Sequence, residues 1–242
     1  MFDKHRRRRV ICNDDADQQY HGPQYDSYSY KIFDKQSFLE ARTAATFDTH
    51  VDTYVWCVGN GCQPPWGRSG SLRPFLESNE HATDLIVEAC HAKGIEVWGS
   101  LRMNDIHDNE MPPEKQADPL KAQRPDYLIP VRYDKNEFPE LLEAHLKTAF
   151  NYALPAVRRY RLDFVEKNAT AHDFDGYELD FTRMIWNFPI GSERPNASHM
   201  TDFMREVRAV LDSIGNRRKR HYTLAVHVLD SPEGSLLSLI HI

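Results

Sequence analysis

Glu178 and Asp180 stand two residues apart in Phe174-Asp175-Gly176-Tyr177-Glu178-Leu179-Asp180-Phe181, a stretch that reads as a short buried strand. Strand side chains alternate between faces, so Glu178 and Asp180 share one face while Tyr177, Leu179 and Phe181 share the other. Carboxylates inside an apolar strand are costly unless they are paired, hydrogen-bonded or functional. The chemistry open to such a pair is acid–base. One carboxyl, held protonated, gives up its proton, while the other stays ionised and attacks or stabilises positive charge. Glu178 is expected as the proton donor and Asp180 as the nucleophile or charge stabiliser, with the roles reversible. The plain alternative is an ion-pair network inside the sheet, with Arg102 or Arg183.

Other strand ends carry polar groups. Residues 95–101 form a strand that runs out into Arg102, Asn104, Asp105 and His107. Asn104 and Asp105 suit ligand hydroxyls, and equally suit loop capping. A first strand over 10–15 closes on Asp14 and Asp15, which are candidate ligand groups or structural ones. Residues 53–59 are β-branched and aromatic and include Trp56. The turn-rich loop after them holds Asn60 and Trp66. Trp66 either packs that loop down or offers a flat apolar face to a ligand. Arg183 and Trp186 follow the acidic strand. His227 ends a fifth strand over 222–228, either facing the ligand or resting as a satisfied polar core residue. These twelve residues, Asp14 to His227, are the expected substrate-binding set.

Between the strands lie helical patterns. The spacing predicts helices over 37–46, 81–93 and 199–214, the second stopped by Lys93-Gly94. A longer helix is expected over 139–160, kinked or broken at Pro155, with 161–173 as linker. Strand and helix thus alternate along the chain, which implies α/β class and a parallel sheet with right-handed crossovers. The architecture expected is a (β/α) TIM-type barrel, incomplete, with about five βα units of the eight a full barrel needs. Chemistry in such a barrel sits at the C-terminal rim of its strands. The 242 residues are read as one barrel domain, 1–242, truncated before the last strands, with 234–242 as a non-native tail.

Composition narrows the partners. Hydrophobic residues are 40% and aromatics 11%, enough for a sizeable core. Net charge is -6, which argues against a nucleic-acid partner. The basic run Arg6-Arg7-Arg8-Arg9 leads straight into an apolar strand and reads as a solvated strand entry. No apolar stretch is long enough to span a membrane, and the N-terminus lacks the apolar core of a signal peptide. Cytoplasm is the default placement, with a secreted or periplasmic one open if the N-terminus is incomplete. Cys12, Cys57, Cys62 and Cys90 match no zinc pattern or dense disulfide framework. No glycine-rich dinucleotide fingerprint or phosphate loop appears, so no cofactor is expected. Metal is not expected either. A metal-dependent barrel hydrolase is the weakest reading, because Asp105-Ile106-His107-Asp108 is a poor substitute for a His-x-His strand end.

At Asp175-Gly176-Tyr177-Glu178-Leu179-Asp180-Phe181-Thr182-Arg183 the chain resembles the glycosyl-hydrolase-like (β/α)8 barrel proteins, notably glycosyl-hydrolase-like family ten and its relatives. The helix-to-strand passage Ala92-Lys93-Gly94-Ile95-Glu96-Val97-Trp98 and the exit Arg102-Met103-Asn104-Asp105 fit the same resemblance. It implies carbohydrate chemistry at the rim, with Glu178 and Asp180 at the fourth-strand acids; a sugar ring presents apolar C–H faces on which Trp66 could stack, if it does not pack its loop down instead. Hydrolysis of a glycosidic bond in a poly- or oligosaccharide is the expected activity. A non-catalytic carbohydrate-binding barrel is the alternative. By strand rise the two carboxylates are roughly 7 Å apart at Cα, which leaves retention or inversion open.

Overall fold

The computed structural model describes residues 8–15, 35–58, 82–105, 118–130 and 147–229. Five strands, β1 (Ile11–Asp14), β2 (Thr53–Cys57), β3 (Glu96–Arg102), β4 (Gly176–Asp180) and β5 (Thr223–His227), form one sheet. Their order is β1-β2-β3-β4-β5, and every neighbouring pair is parallel. Five α-helices lie among the described residues, α1 (Lys35–Arg42), α2 (Ala82–Ala92), α3 (Pro119–Gln123), α4 (Pro155–Ala171) and α5 (Glu193–Arg218), with short 3-10 turns at Ala44–Thr46 and Pro125–Tyr127. The α/β expectation of a parallel sheet with alternating helices holds.

Burial explains which segments became strands. Every residue of β2, β3 and β4 is buried. A strand covered on both faces needs apolar or satisfied side chains throughout. On the helix side, Tyr54, Trp56, Val97, Leu101, Tyr177 and Leu179 join one core with Leu85, Val157, Val165, Phe203, Val207 and Leu211. The α5 residues Met200, Phe203, Val207, Leu211 and Ile214 recur every three or four positions, which is one helix face. Gly94, at φ 71°, stops α2 in the left-handed conformation that favours glycine.

Two helix expectations need correction. Residues 147–154 are not helical, and residues 155–171, mostly expected as linker, form α4. Pro155 neither kinks nor breaks a helix. It occupies the first turn, where a missing N–H costs nothing and a fixed φ is already helical. Phe150 and Leu154 therefore lie before α4 rather than on its stripe, and Phe150 bridges antiparallel to Leu128. Arg161, expected in the linker, is fully buried in α4. Its guanidinium lies 4.8 Å from the Phe150 ring centroid, donates to the Met103 carbonyl at 3.0 Å, and approaches Asp118 at 3.8 Å. The other expected helix is longer than its pattern, running Glu193–Arg218.

The opposite face of the sheet is concave and carries polar side chains alongside Val55 and Trp98. Asn13 on β1 donates to Glu178 on β4 at 3.2 Å. Arg8, just before β1, donates to Thr223 on β5 at 3.2 Å. In a flat sheet β1 and β4 would be three strand spacings apart, about 14 Å. An Asn and a Glu cannot bridge that gap, so the sheet must curl into a trough. Gly176 allows the floor to close. A Cβ there would lie 2.7 Å from Trp98 Cδ1 and 2.8 Å from Thr223 Cβ, so the indole packs directly on the bare backbone.

Candidate functional site

The sheet register stacks this face in four rows, one of them the Trp98, Gly176 and Thr223 row of the floor, and the polar groups of the site lie in the other three. Thr53 pairs with Glu96 at the bottom, Ser100 with Glu178 in the middle, and Arg102 with Asp180 and His227 at the C-terminal end. The bottom layer is closed by a bidentate pair. Arg8 Nε and Nη2 donate to the two Glu96 oxygens at 2.6 Å each, and Thr53 Oγ1 adds a third donor at 2.9 Å. Such fork geometry is strong and directional. Arg8 also lies over the Trp98 ring, 5.2 Å from its centroid.

Glu178 forms the middle layer and is 8% exposed. Its Oε1 accepts from Ser100 Oγ at 2.8 Å and Asn13 Nδ2 at 3.2 Å. Burial pushes this carboxyl above the ordinary glutamate range. Ser100, His227 and Asn13 pull it back in part, and the Asp180 charge adds to the rise.

At the upper layer Asp180 Oδ1 accepts from Thr182 N at 2.8 Å and Thr182 Oγ1 at 2.6 Å. His227 Nδ1 stands 3.6 Å from Oδ1, and Arg183 Nε stands 3.8 Å from Oδ2. Asp15 lies between two guanidiniums: Arg102 Nη2 is 3.2 Å from its Oδ1, and Arg183 Nη2 donates to its Oδ2. Burial pushes the Asp15 carboxyl up, but Arg183 and Arg102 outweigh it and hold the group below the usual aspartate range. Arg102 Nη1 also donates to Asp105 at 2.9 Å.

The expected residues thus divide. Glu178, Asp180, Asp15, Arg102, Arg183 and His227 come together in the trough and at its C-terminal end. Asp14 and Trp56 go to the helix face. Asp14 pairs with Arg42 at 3.0 Å and accepts from the Tyr54 hydroxyl. Trp56 is 1% exposed, donates to Thr83 at 3.2 Å and meets Phe38 edge-on. The phase of the alternation decides this: Asn13 and Asp15 face inward, so Asp14 between them faces out.

Asn104 and Asp105 behave as clamps. Asn104 Nδ2 lies within hydrogen-bond reach of Phe150 O, Trp186 O and Asn187 Oδ1, and its Oδ1 accepts from Phe150 N at 2.8 Å. Loop capping, rather than a free face for ligand hydroxyls, is where its polar atoms are spent. The Asp105 carbonyl accepts from Lys121 Nζ at 2.7 Å. Trp186 packs against a small cluster of Ile129, Ala149 and Met184. Asn60, Trp66 and His107 lie outside the described residues, as do 234–242.

Asn13 and Ser100 belong to the site but were not singled out in the sequence. The signal for both was the strand period itself. Ser100 is two positions before Arg102, and Asn13 two before Asp15. A third acid of the resembling motif, Asp175, faces elsewhere. It accepts from Val97 N at 3.0 Å and sits 2.7 Å from His91 Nε2, so it ties the start of β4 to β3 and α2.

No family model matches the chain, and no curated protein matches it. Solved structures do resemble it. The galactosidase domain of an alpha-galactosidase-sucrose kinase aligns at 15% identity and a TM-score of 0.47, covering 92% of this chain and 27% of that one. Alpha-L-fucosidase isoenzyme 2 from Paenibacillus thiaminolyticus aligns at 12% identity and a TM-score of 0.48, covering 96% and 34%. An alpha-galactosidase from Thermus thermophilus, in complex with stachyose, aligns at 15% identity and a TM-score of 0.45, covering 94% and 48%. The chain therefore spans less than half the length of each, and each is a glycosidase matched at low sequence identity.

Proposed function

We propose that the trough hydrolyses a glycosidic bond of a poly- or oligosaccharide by carboxylate acid–base chemistry. One observation carries the reading: two carboxyls on one strand face sit in opposed environments. Glu178 is buried among neutral donors and has its proton affinity raised. Asp180 stands beside Arg183 and His227 and accepts two hydrogen bonds from Thr182. A carboxyl whose pKa burial raises suits the proton donor, which gives Asp180 the second role in this proposal. In the proposed reaction, Glu178 gives its proton to the glycosidic oxygen as the C–O bond breaks. Asp180 bonds to the sugar carbon or faces its positive charge, and water then adds its oxygen to that carbon and returns its proton to Glu178, which frees the Asp180 carboxylate. Arg102, Arg183, His227 and Asp15 orient sugar hydroxyls at the C-terminal end of the trough. Membership of the glycosyl-hydrolase-like family ten group is part of this proposal and rests on the β4 motif.

A second reading, a carbohydrate-binding barrel without turnover, draws support from Asp180 Oδ1, which Thr182 already occupies twice. The test is a hydrolysis screen over oligosaccharides, paired with binding by calorimetry. Turnover that disappears in Glu178→Gln and Asp180→Asn while binding persists supports the hydrolase. Binding without turnover in the wild-type protein gives the second reading. Neither binding nor turnover removes both.

A further inference from the structure

We propose that Asn13 and Ser100 are positioning residues that clamp Oε1 of Glu178 and so assign the transferable proton to Oε2. The inference rests on Glu178 as the acid of the proposed reaction. Asn13 arrives from β1 and Ser100 from β3, so the carboxyl is held from two sides of the trough at 3.2 and 2.8 Å. An Asn Nδ2 only donates. A proton on Oε1 would point at those amide hydrogens, so Oε1 stays the acceptor. Among the described residues Oε2 has no hydrogen-bond partner, which leaves it for the proton and the leaving-group oxygen. A general acid needs its proton on the oxygen that faces the substrate, and a carboxyl free to rotate would not keep it there.

The other groups near Glu178 are already accounted for. Asp180 is on its own strand and His227 is on β5. Arg102 lies next on β3, committed to Asp15 and Asp105. On β2 the residue in the same register row is Cys57. Asp15, two positions after Asn13, pairs with the two arginines. Only Asn13 and Ser100 among the described residues donate to Glu178 itself.

Donors to a carboxylate favour its charged form, so removing one raises the titration midpoint. A hydrogen bond to a charged group is worth roughly 1.5–3 kcal/mol, or about one to two pH units. The experiment is a carbon-13 titration of the glutamate side-chain carboxyls in the intact protein, with Glu178→Gln identifying the resonance. Asn13→Ala and Ser100→Ala are each expected to raise the Glu178 midpoint by about one unit. Ser100→Thr, which keeps the hydroxyl, should restore it. Circular dichroism confirms the fold of each variant, and because the residues lie on different strands either variant alone is decisive. An unmoved midpoint in a folded variant overturns the clamp. Because no substrate is used, a failed hydrolysis screen sinks the proposed function without touching this result.

Discussion

Asn104→Ala separates a ligand-binding residue from a strap, and its cost can be worked from the structure. Asn104 is 1% exposed. Its amide hydrogens serve the carbonyls of Phe150 and Trp186 at 3.1 Å each, with Asn187 Oδ1 at 3.3 Å, and its oxygen accepts from Phe150 N at 2.8 Å. Three acceptors on one side and an N–H on the other fix the orientation of the amide. Alanine removes about three good hydrogen bonds at roughly 1 kcal/mol each. It also leaves the buried Phe150 N–H without its partner, and any water that enters the gap offsets part of that cost. A loss of about 3 kcal/mol follows. For a domain of this size 1 kcal/mol moves Tm by about 2–4 °C, so melting should fall by about 6–12 °C. Urea unfolding of the full chain, followed by fluorescence, gives the free energy, and a thermal melt gives Tm. Asn104→Asp should be worse, since it turns a donor into an oxygen facing three oxygens. An alanine variant that melts within about 2 °C of wild type, yet binds oligosaccharide more weakly, would refute the strap and restore the ligand role.

Three further outcomes are expected. Glu178→Gln should melt higher than wild type at pH 7 to 8, and the difference should close as pH falls below the ordinary glutamate range near pH 4.3. The sign follows from the raised pKa: the fold favours the neutral form, so stability is lost as pH climbs through the window between unfolded and folded values. A flat difference across pH would contradict a buried, proton-holding Glu178. Asp118→Ala should cost about 3–5 kcal/mol in urea unfolding, because fully buried Arg161 would lose its nearby carboxylate and the α3 cap would go with it. A loss under 1 kcal/mol, the surface-pair range, would mean that this pair is immaterial. Gly176→Ala should destabilise by about 1–3 kcal/mol through the clash with Trp98 and Thr223. An unchanged midpoint with unchanged tryptophan fluorescence would show that the trough floor is looser than described.

Legibility followed physical constraint. The inner strands were readable because β2 is nearly continuous apolar sequence, as a strand covered on both faces needs, and β3, Trp98 apart, alternates polar with apolar residues at period two. The shared face of Glu178 and Asp180 followed from period two alone. The phase of β1 was not readable, because Ile-Cys-Asn-Asp has no clean alternation, so Asp14 was grouped with Asp15 though they point apart. Helix α4 was misplaced for a different reason. Pro155 has one meaning inside a helix and another at its first turn, and only the partners of the preceding residues distinguish them. Arg161 then looked like linker, since a buried arginine is legible only once Met103 O, Phe150 and Asp118 are seen around it. Asn104 failed in the same way: an amide at a strand exit suits a ligand and a strap equally until its partners are known.

Sequence could identify two carboxylates on one face, but not why they should differ. The difference arises from curvature. Were the sheet flat, Glu178 would meet only its neighbours on β3 and β5, and Asn13 would be about 14 Å away on β1. Curling brings Asn13 onto Glu178 and Asp15 onto Arg102 and Arg183, one step apart along the same strand end. The first contact helps close the carboxyl from water, which raises its pKa, while the donor itself pulls it back in part. The second engages Arg183 and, together with Asp105, Arg102, with Arg183 also 3.8 Å from Asp180. An arginine moved next to Glu178 would lower its pKa and remove the acid. Asp15 therefore acts on the middle layer without touching it, by holding positive charge at the upper one.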